Sequence, residues 1–129
     1  MGTFVRNETR FRPPQVAWRK VKNKIVLPSY NHSLVFIGSD RMAQLNWRYR
    51  KRRGSTNILA FPLEKSSGEI FVDLSLARQE AKEKSESFKN YVLYLFIHAL
   101  LHLKGFNHIH ARPRARMERE EKKWLRIFQ

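Results

Sequence analysis

Apolar residues along the chain come in short runs, and their spacing changes from strand-like near the start to helix-like toward the end. "FRPPQVAWRKVKNKIVLP" opens on a proline pair that suits a helix start, and Pro28 closes the segment. "SLVFIG", Ser33–Gly38, is uniformly apolar and bounded by glycine, which predicts a buried strand. In "SDRMAQLNWRYRKR" Ser39 or Asp40 can cap a helix whose Met42, Leu45 and Tyr49 share one face. "STNILAFP" predicts a strand over Thr56–Phe61 that Pro62 ends, "EKSSG" a loop, and "EIFV" a strand over Glu69–Val72. Asp73 or Ser75 can cap the next helix, "LSLARQEAKEKSES". A further helix, about Asn90–Leu103, is apolar nearly all round, so it belongs in the middle of the protein, with Phe96, Ile97, Leu100 and Leu101 in the core; Gly105 stops it. "PRARMEREEKKWLRIF" is a last helix with Pro113 near its start, packing through Trp124, Leu125 and Phe128. Strands come early and helices late. The expected fold is α+β, a small mixed sheet covered by helices around one central apolar helix, as one domain over residues 1–129.

Composition narrows the chemistry. With no cysteine, a thiolate metal site, an iron–sulfur cluster or a cysteine nucleophile is excluded. No uninterrupted apolar run reaches the roughly 18 residues of a membrane span, and "MGTFVRNETRFRPP" lacks the apolar stretch of a secretory signal. A cytoplasmic location is expected. Lys and Arg number 26 against 11 Asp and Glu, a formal charge of +15. Such a field draws polyanions, and nucleic acid leads over an anionic membrane surface as the expected partner.

"FIHALLHLKGFNHIH", Phe96–His110, carries four of the chain's five histidines. His98 and His102 are four apart on a helix, so both imidazoles lie on one face, one turn apart. Gly105 lets the chain leave the helix, and His108 can return as a third ligand; His110, two residues further, is the second choice. Three protein ligands with a position left for water make an open catalytic metal site. Three imidazoles suit zinc, and also nickel, cobalt and copper. The spacing also fits the metzincin zinc signature, but residue 99 is Ala where those peptidases carry their general base. Metallopeptidase chemistry is therefore disfavoured. His32, between Asn and Ser, is expected in an exposed loop.

Five of the six residues Arg48–Arg53 are basic: Arg48, Arg50, Lys51, Arg52 and Arg53. Trp47 and Tyr49 interleave with them, and aromatics can stack on unpaired bases while Arg grips phosphate bidentately. The segment "LNWRYRKRRGSTNILAFP", the segment "GEIFVDLSLARQEAKE" and the spacing His98-x3-His102-x5-His108 together resemble the YbeY family of rRNA-maturation endoribonucleases. Order and spacing agree from Leu45 to His108.

The resemblance implies a metal-dependent, single-strand-specific endoribonuclease acting in small-subunit rRNA maturation and ribosome quality control. It implies one Zn2+ per chain on His98, His102 and His108, with Arg50 as the catalytic residue facing the phosphate. A small-subunit ribosomal protein or a ribosome-associated GTPase is implied as a further partner. Arg48, Lys51, Arg52 and Arg53 are candidate RNA-binding residues on charge alone. The expected chemistry is phosphodiester cleavage by metal-activated water or by a 2′-OH, with Arg50 stabilising the phosphoryl charge. The alternative is a non-catalytic RNA-binding assembly factor with a structural metal. Glu69 and Asp73 are weak candidates for proton transfer, better read as a strand carboxylate and a helix cap. The chain departs from the family pattern at Ala60, Glu69 and Asn107, which stand where relatives usually have Ser, Asp and Asp.

Overall fold

The computed structural model describes residues 4–105 and 111–129, with the side chains of the last helix described from residue 115 onward. Its elements run β1 (Phe4–Asn7), α1 (Trp18–Ile25), β2 (Asn31–Ile37), α2 (Ser39–Arg50), β3 (Ile58–Glu64), β4 (Ser67–Asp73), α3 (Leu74–Glu83), α4 (Phe88–Lys104) and α5 (Ala111–Phe128). The strands form one mixed sheet in the order β1-β2-β4-β3. β1 and β4 run parallel to β2, and β3 runs antiparallel to β4.

Strand alternation gives the sheet two apolar faces. Leu34, Phe36, Ile70 and Val72 point into the larger core, with α1 and α4. Val35, Ile37, Leu59 and Phe71 point the other way, onto Met42 and Leu45 of α2. The central helix is as the apolar run suggests: nine α4 residues are buried, including Phe96, Ile97, Leu100 and Leu101. Ser87 caps its start by accepting from Asn90 N, and Gly105 ends it in the left-handed region at φ 116°.

Several boundaries differ from the sequence reading for physical reasons. β3 runs through Pro62 to Glu64, because it is an edge strand and needs no amide from Pro62; a register shift follows that residue. The "EKSSG" loop shrinks to a tight turn, since β4 starts at Ser67. Gly68 is required there: a Cβ would meet Phe61 O at 3.0 Å and the Leu103 side chain at 3.2 Å. α1 starts at Trp18 rather than at the prolines, and buries Trp18, Val21, Lys22 and Ile25 on one stripe. Neither Ser39 nor Asp40 caps α2. Gly38 holds that position, and Ser39 Oγ donates instead to Asp73 Oδ2 at 2.6 Å. Asp73, not Ser75, caps α3 by accepting from Leu76 N. β1 has no periodic signature of its own; all four of its residues are exposed, and pairing with β2 makes it a strand.

Candidate metal centre and its basic neighbour

α4 has more than a core face. Tyr91, Tyr94, His98 and His102 follow one another at helical spacing along one flank, beside the edge of the sheet where β3 packs. The two histidines therefore share a face, as their spacing dictates. His98 is partly exposed, and its Nδ1 is hydrogen-bonded to Oε2 of Glu121, a buried carboxylate on α5. A carboxylate only accepts, so the neutral imidazole carries its proton on Nδ1 and leaves the Nε2 lone pair for another partner. That is the arrangement in which a carboxylate orients a metal-ligating histidine. His108 and the alternative His110 lie outside the described residues, as does Asn107. Among the described residues no group of three His, Asp or Glu side chains converges to hold a metal. Ala99 is buried in the core and points away from this flank.

A cleft adjoins the histidine. It lies between α4, the start of β3 and the α3–α4 turn, and His98 forms part of its wall with Asn57, Tyr91 and Tyr94. At its base Glu80 Oε1 accepts from Tyr91 OH at 2.7 Å and from Asn57 Nδ2 at 3.0 Å. Burial, reinforced by the bond to Glu80, pushes the Tyr91 hydroxyl up to about 12. Burial also raises Tyr94, with Glu121 and Glu118 adding to it.

The basic run is presented differently. Arg48 and Arg50 stand in the last turn of α2, and Lys51, Arg52 and Arg53 in the loop that follows, all exposed. The loop is anchored at several points. Lys51 turns the chain at φ 55°, Asn46 Nδ2 donates to Gly54 O at 2.9 Å, and Ser55 Oγ donates to Asp73 Oδ2 at 2.5 Å. Trp47 and Tyr49 are half-exposed among the cations. Arg48 lies over Tyr49 at 5.5 Å, and Lys51 and Arg53 over Trp47 at 5.9 and 6.0 Å. The structure thus makes two small groups at the end of α2, Lys51 and Arg53 over Trp47 and Arg48 over Tyr49. Arg50 and the histidine pair come from helices on opposite faces of the sheet. Edge strand β3 stands between them, with Ile58 and Ala60 toward α4 and Phe61 against Tyr49 at 4.9 Å. The loop from Arg50 ends at Asn57, which already lines the cleft beside His98.

The family model for Endoribonuclease YbeY matches residues 14–129. This chain belongs to the YbeY family. A YbeY endoribonuclease from Campylobacter jejuni is 36% identical over 100 residues, covering 74% of this chain and 73% of the relative. One from Polynucleobacter asymbioticus is 37% identical over 93 residues, covering 69% and 60%. The solution structure of TM1509 from Thermotoga maritima superposes with a TM-score of 0.71 at 23% identity, covering 95% of this chain and 86% of that one, and so shares the fold. Among the described residues no helix is long and apolar enough to cross a membrane.

Within this YbeY fold, two side chains are not what the sequence suggests. Glu121 escapes a reading based on histidines, yet it carries a signal. It sits four residues after Met117 and four before Leu125, a carboxylate in the middle of the apolar stripe of α5. His32 is the reverse case. It is no loop residue but part of β2, buried, with an Nδ1 that has no hydrogen-bond partner. Burial first, and the neighbouring Lys22 second, lower it to about 4, so it stays neutral. Lys22 is itself buried, donating to Pro28 O at 3.0 Å and Asn23 Oδ1 at 3.2 Å. Asp73 is saturated by Ser39, Ser55 and Leu76 N, which makes it a structural cap. Glu69 alternates with Ile70 and lies on the α2 face of the sheet, away from the histidines.

Proposed function

We propose that this chain is a metal-dependent, single-strand-specific endoribonuclease that cuts ribosomal RNA during small-subunit maturation and quality control in the cytoplasm. Family membership supports the reaction class, since the relatives are named endoribonucleases. The observation that carries the site is the bond from His98 to buried Glu121, on a helix that places His102 one turn away. His98, His102 and His108 would hold one Zn2+. An ion of that kind supplies Lewis acidity and brings the pKa of a coordinated water to about 7.

The protein's own groups supply the remainder. Glu121 fixes the ring orientation and tautomer of His98. The anchored basic loop, Arg48 and Lys51–Arg53, holds the RNA backbone through its phosphates, and Trp47 and Tyr49 offer faces for unpaired bases. Arg50 stabilises the charge that builds on the phosphoryl oxygens. A small-subunit ribosomal protein or a ribosome-associated GTPase directs the chain to its substrate.

Protein purified without a His-tag or added metal is expected to contain about one zinc per chain, lost in His102→Ala, and to cut a single-stranded rRNA fragment. Metal-free protein with full activity would sink the proposal. A second reading, an assembly factor that only binds rRNA, draws on Arg50 and the histidines standing on opposite sheet faces. It wins where wild type and Arg50→Ala both bind RNA and neither cuts it with zinc present.

A further inference from the structure

The cleft beside His98 holds about 440 Å3, a volume that suits a planar ring system. Its walls differ from the rest of the surface. Tyr91 and Tyr94 lie one turn apart with centroids at 6.3 Å and planes at 28°, and Leu95 and Ile58 add apolar area. Asn57 supplies an amide whose orientation is set in advance. Its Nδ2 donates to Glu80, so its carbonyl oxygen is left as an acceptor.

We propose that this cleft is a nucleobase pocket. It takes one unpaired base next to the scissile phosphate, stacked on Tyr94 and hydrogen-bonded at its edge by the Asn57 amide. This rests on the endoribonuclease reading of the adjoining histidines. Proximity argues for it: the Tyr94 ring is 6.2 Å from the His98 imidazole, so a base on one and a phosphate at the other are neighbours on a single strand. So does charge. In a chain of net +15, this cleft is lined by one lysine, exposed Lys84, and one carboxylate, Glu86, with Asn, Tyr, Leu and Ile side chains making up most of the rest. It suits an uncharged base, and Lys84 suits the backbone that delivers it. An aromatic face with an amide edge is also how proteins hold splayed-out bases. A paired base is unavailable to it, so the pocket selects single strands.

The test begins with wild-type protein. A single-stranded RNA that it cuts at one position is remade with an abasic nucleotide at each flanking position in turn. One position is expected to lower kcat/KM roughly tenfold, the others little. Tyr94→Ala, its fold checked by circular dichroism, should lower kcat/KM on the intact RNA by a similar factor and lose sensitivity to that abasic position. Tyr94→Phe should keep both. 2-Aminopurine at that position should be quenched on binding to wild type and not to Tyr94→Ala. A flat abasic profile, or an unchanged profile in Tyr94→Ala, overturns the pocket and leaves the endoribonuclease reading standing. If zinc-loaded wild type cuts no RNA, that reading fails; 2-aminopurine is then placed at each position of the strand in turn, and the absence of quenching at every one overturns the pocket as well.

Discussion

Two regions of this molecule hold their charged and titratable groups in opposite ways. On α4 and α5 a histidine and a carboxylate meet at one defined bond, with the carboxylate buried. At the end of α2 and in the loop beyond it, five cations stand in solvent, three of them over two half-exposed rings. The first region works by geometry. A shift of one residue along α4 would turn a ring by about 100° and lose the bond. In holding RNA the second works by sum, because exposed charges act through a screened field in which no single position dominates affinity. The two regions should therefore respond differently to the same kind of mutation.

The largest effect is expected from His98→Ala. It removes a proposed ligand and strips Glu121 of its partner. Bound zinc should be lost and cleavage should fall about a hundred- to a thousandfold, while RNA affinity, measured by filter binding, should hardly move. Equal losses in both assays would erase the contrast between the regions. Next comes His32, the histidine outside either region. Its folded pKa of about 4 lies below its unfolded value of 6.5, so the unfolded chain takes up the proton first. The stability owed to its neutral burial is present above about pH 6.5 and is lost as the pH falls toward 4. The stability difference between wild type and His32→Leu, from urea titrations, should change by up to about 3 kcal/mol across that window. Zinc content at pH 7.5 should stay the same, and a flat difference would return His32 to solvent. Glu121→Gln keeps the shape but loses the charge, and should weaken zinc affinity about 10- to 100-fold in chelator competition. The smallest effects belong to the loop. Lys51→Gln, Arg52→Gln and Arg53→Gln should each weaken RNA binding a few-fold and reduce the slope of log affinity against log salt by about 1. A single loop cation carrying most of the affinity would show that this region, too, works by geometry.

Legibility followed the range of the forces involved. The apolar run of α4, its Gly105 stop and the shared face of His98 and His102 depend on residues within a turn or two of each other, and local pattern reports them well. Strands β2, β3 and β4 were readable from short apolar runs, though their ends were not. Pro62 stays in β3 only because that strand lies at the sheet edge, and edge position is a property of the whole sheet. β1 was not readable at all, since its pairing with β2 is what makes it a strand.

From the sequence alone came the mixed helix-and-strand content, the histidine pair on one helix face, the basic run with its aromatics and the YbeY resemblance. Each follows from spacing, composition or motif, which the chain carries before it folds. Only the tertiary structure decided that Glu121, twenty-three residues after His98, is its partner, and that His32 is buried and neutral. It also decided that Arg50 and the histidines approach from opposite faces of one sheet, and that a tyrosine-lined cleft opens beside His98. These depend on which elements pack together, and packing is settled by the burial of all the apolar faces at once.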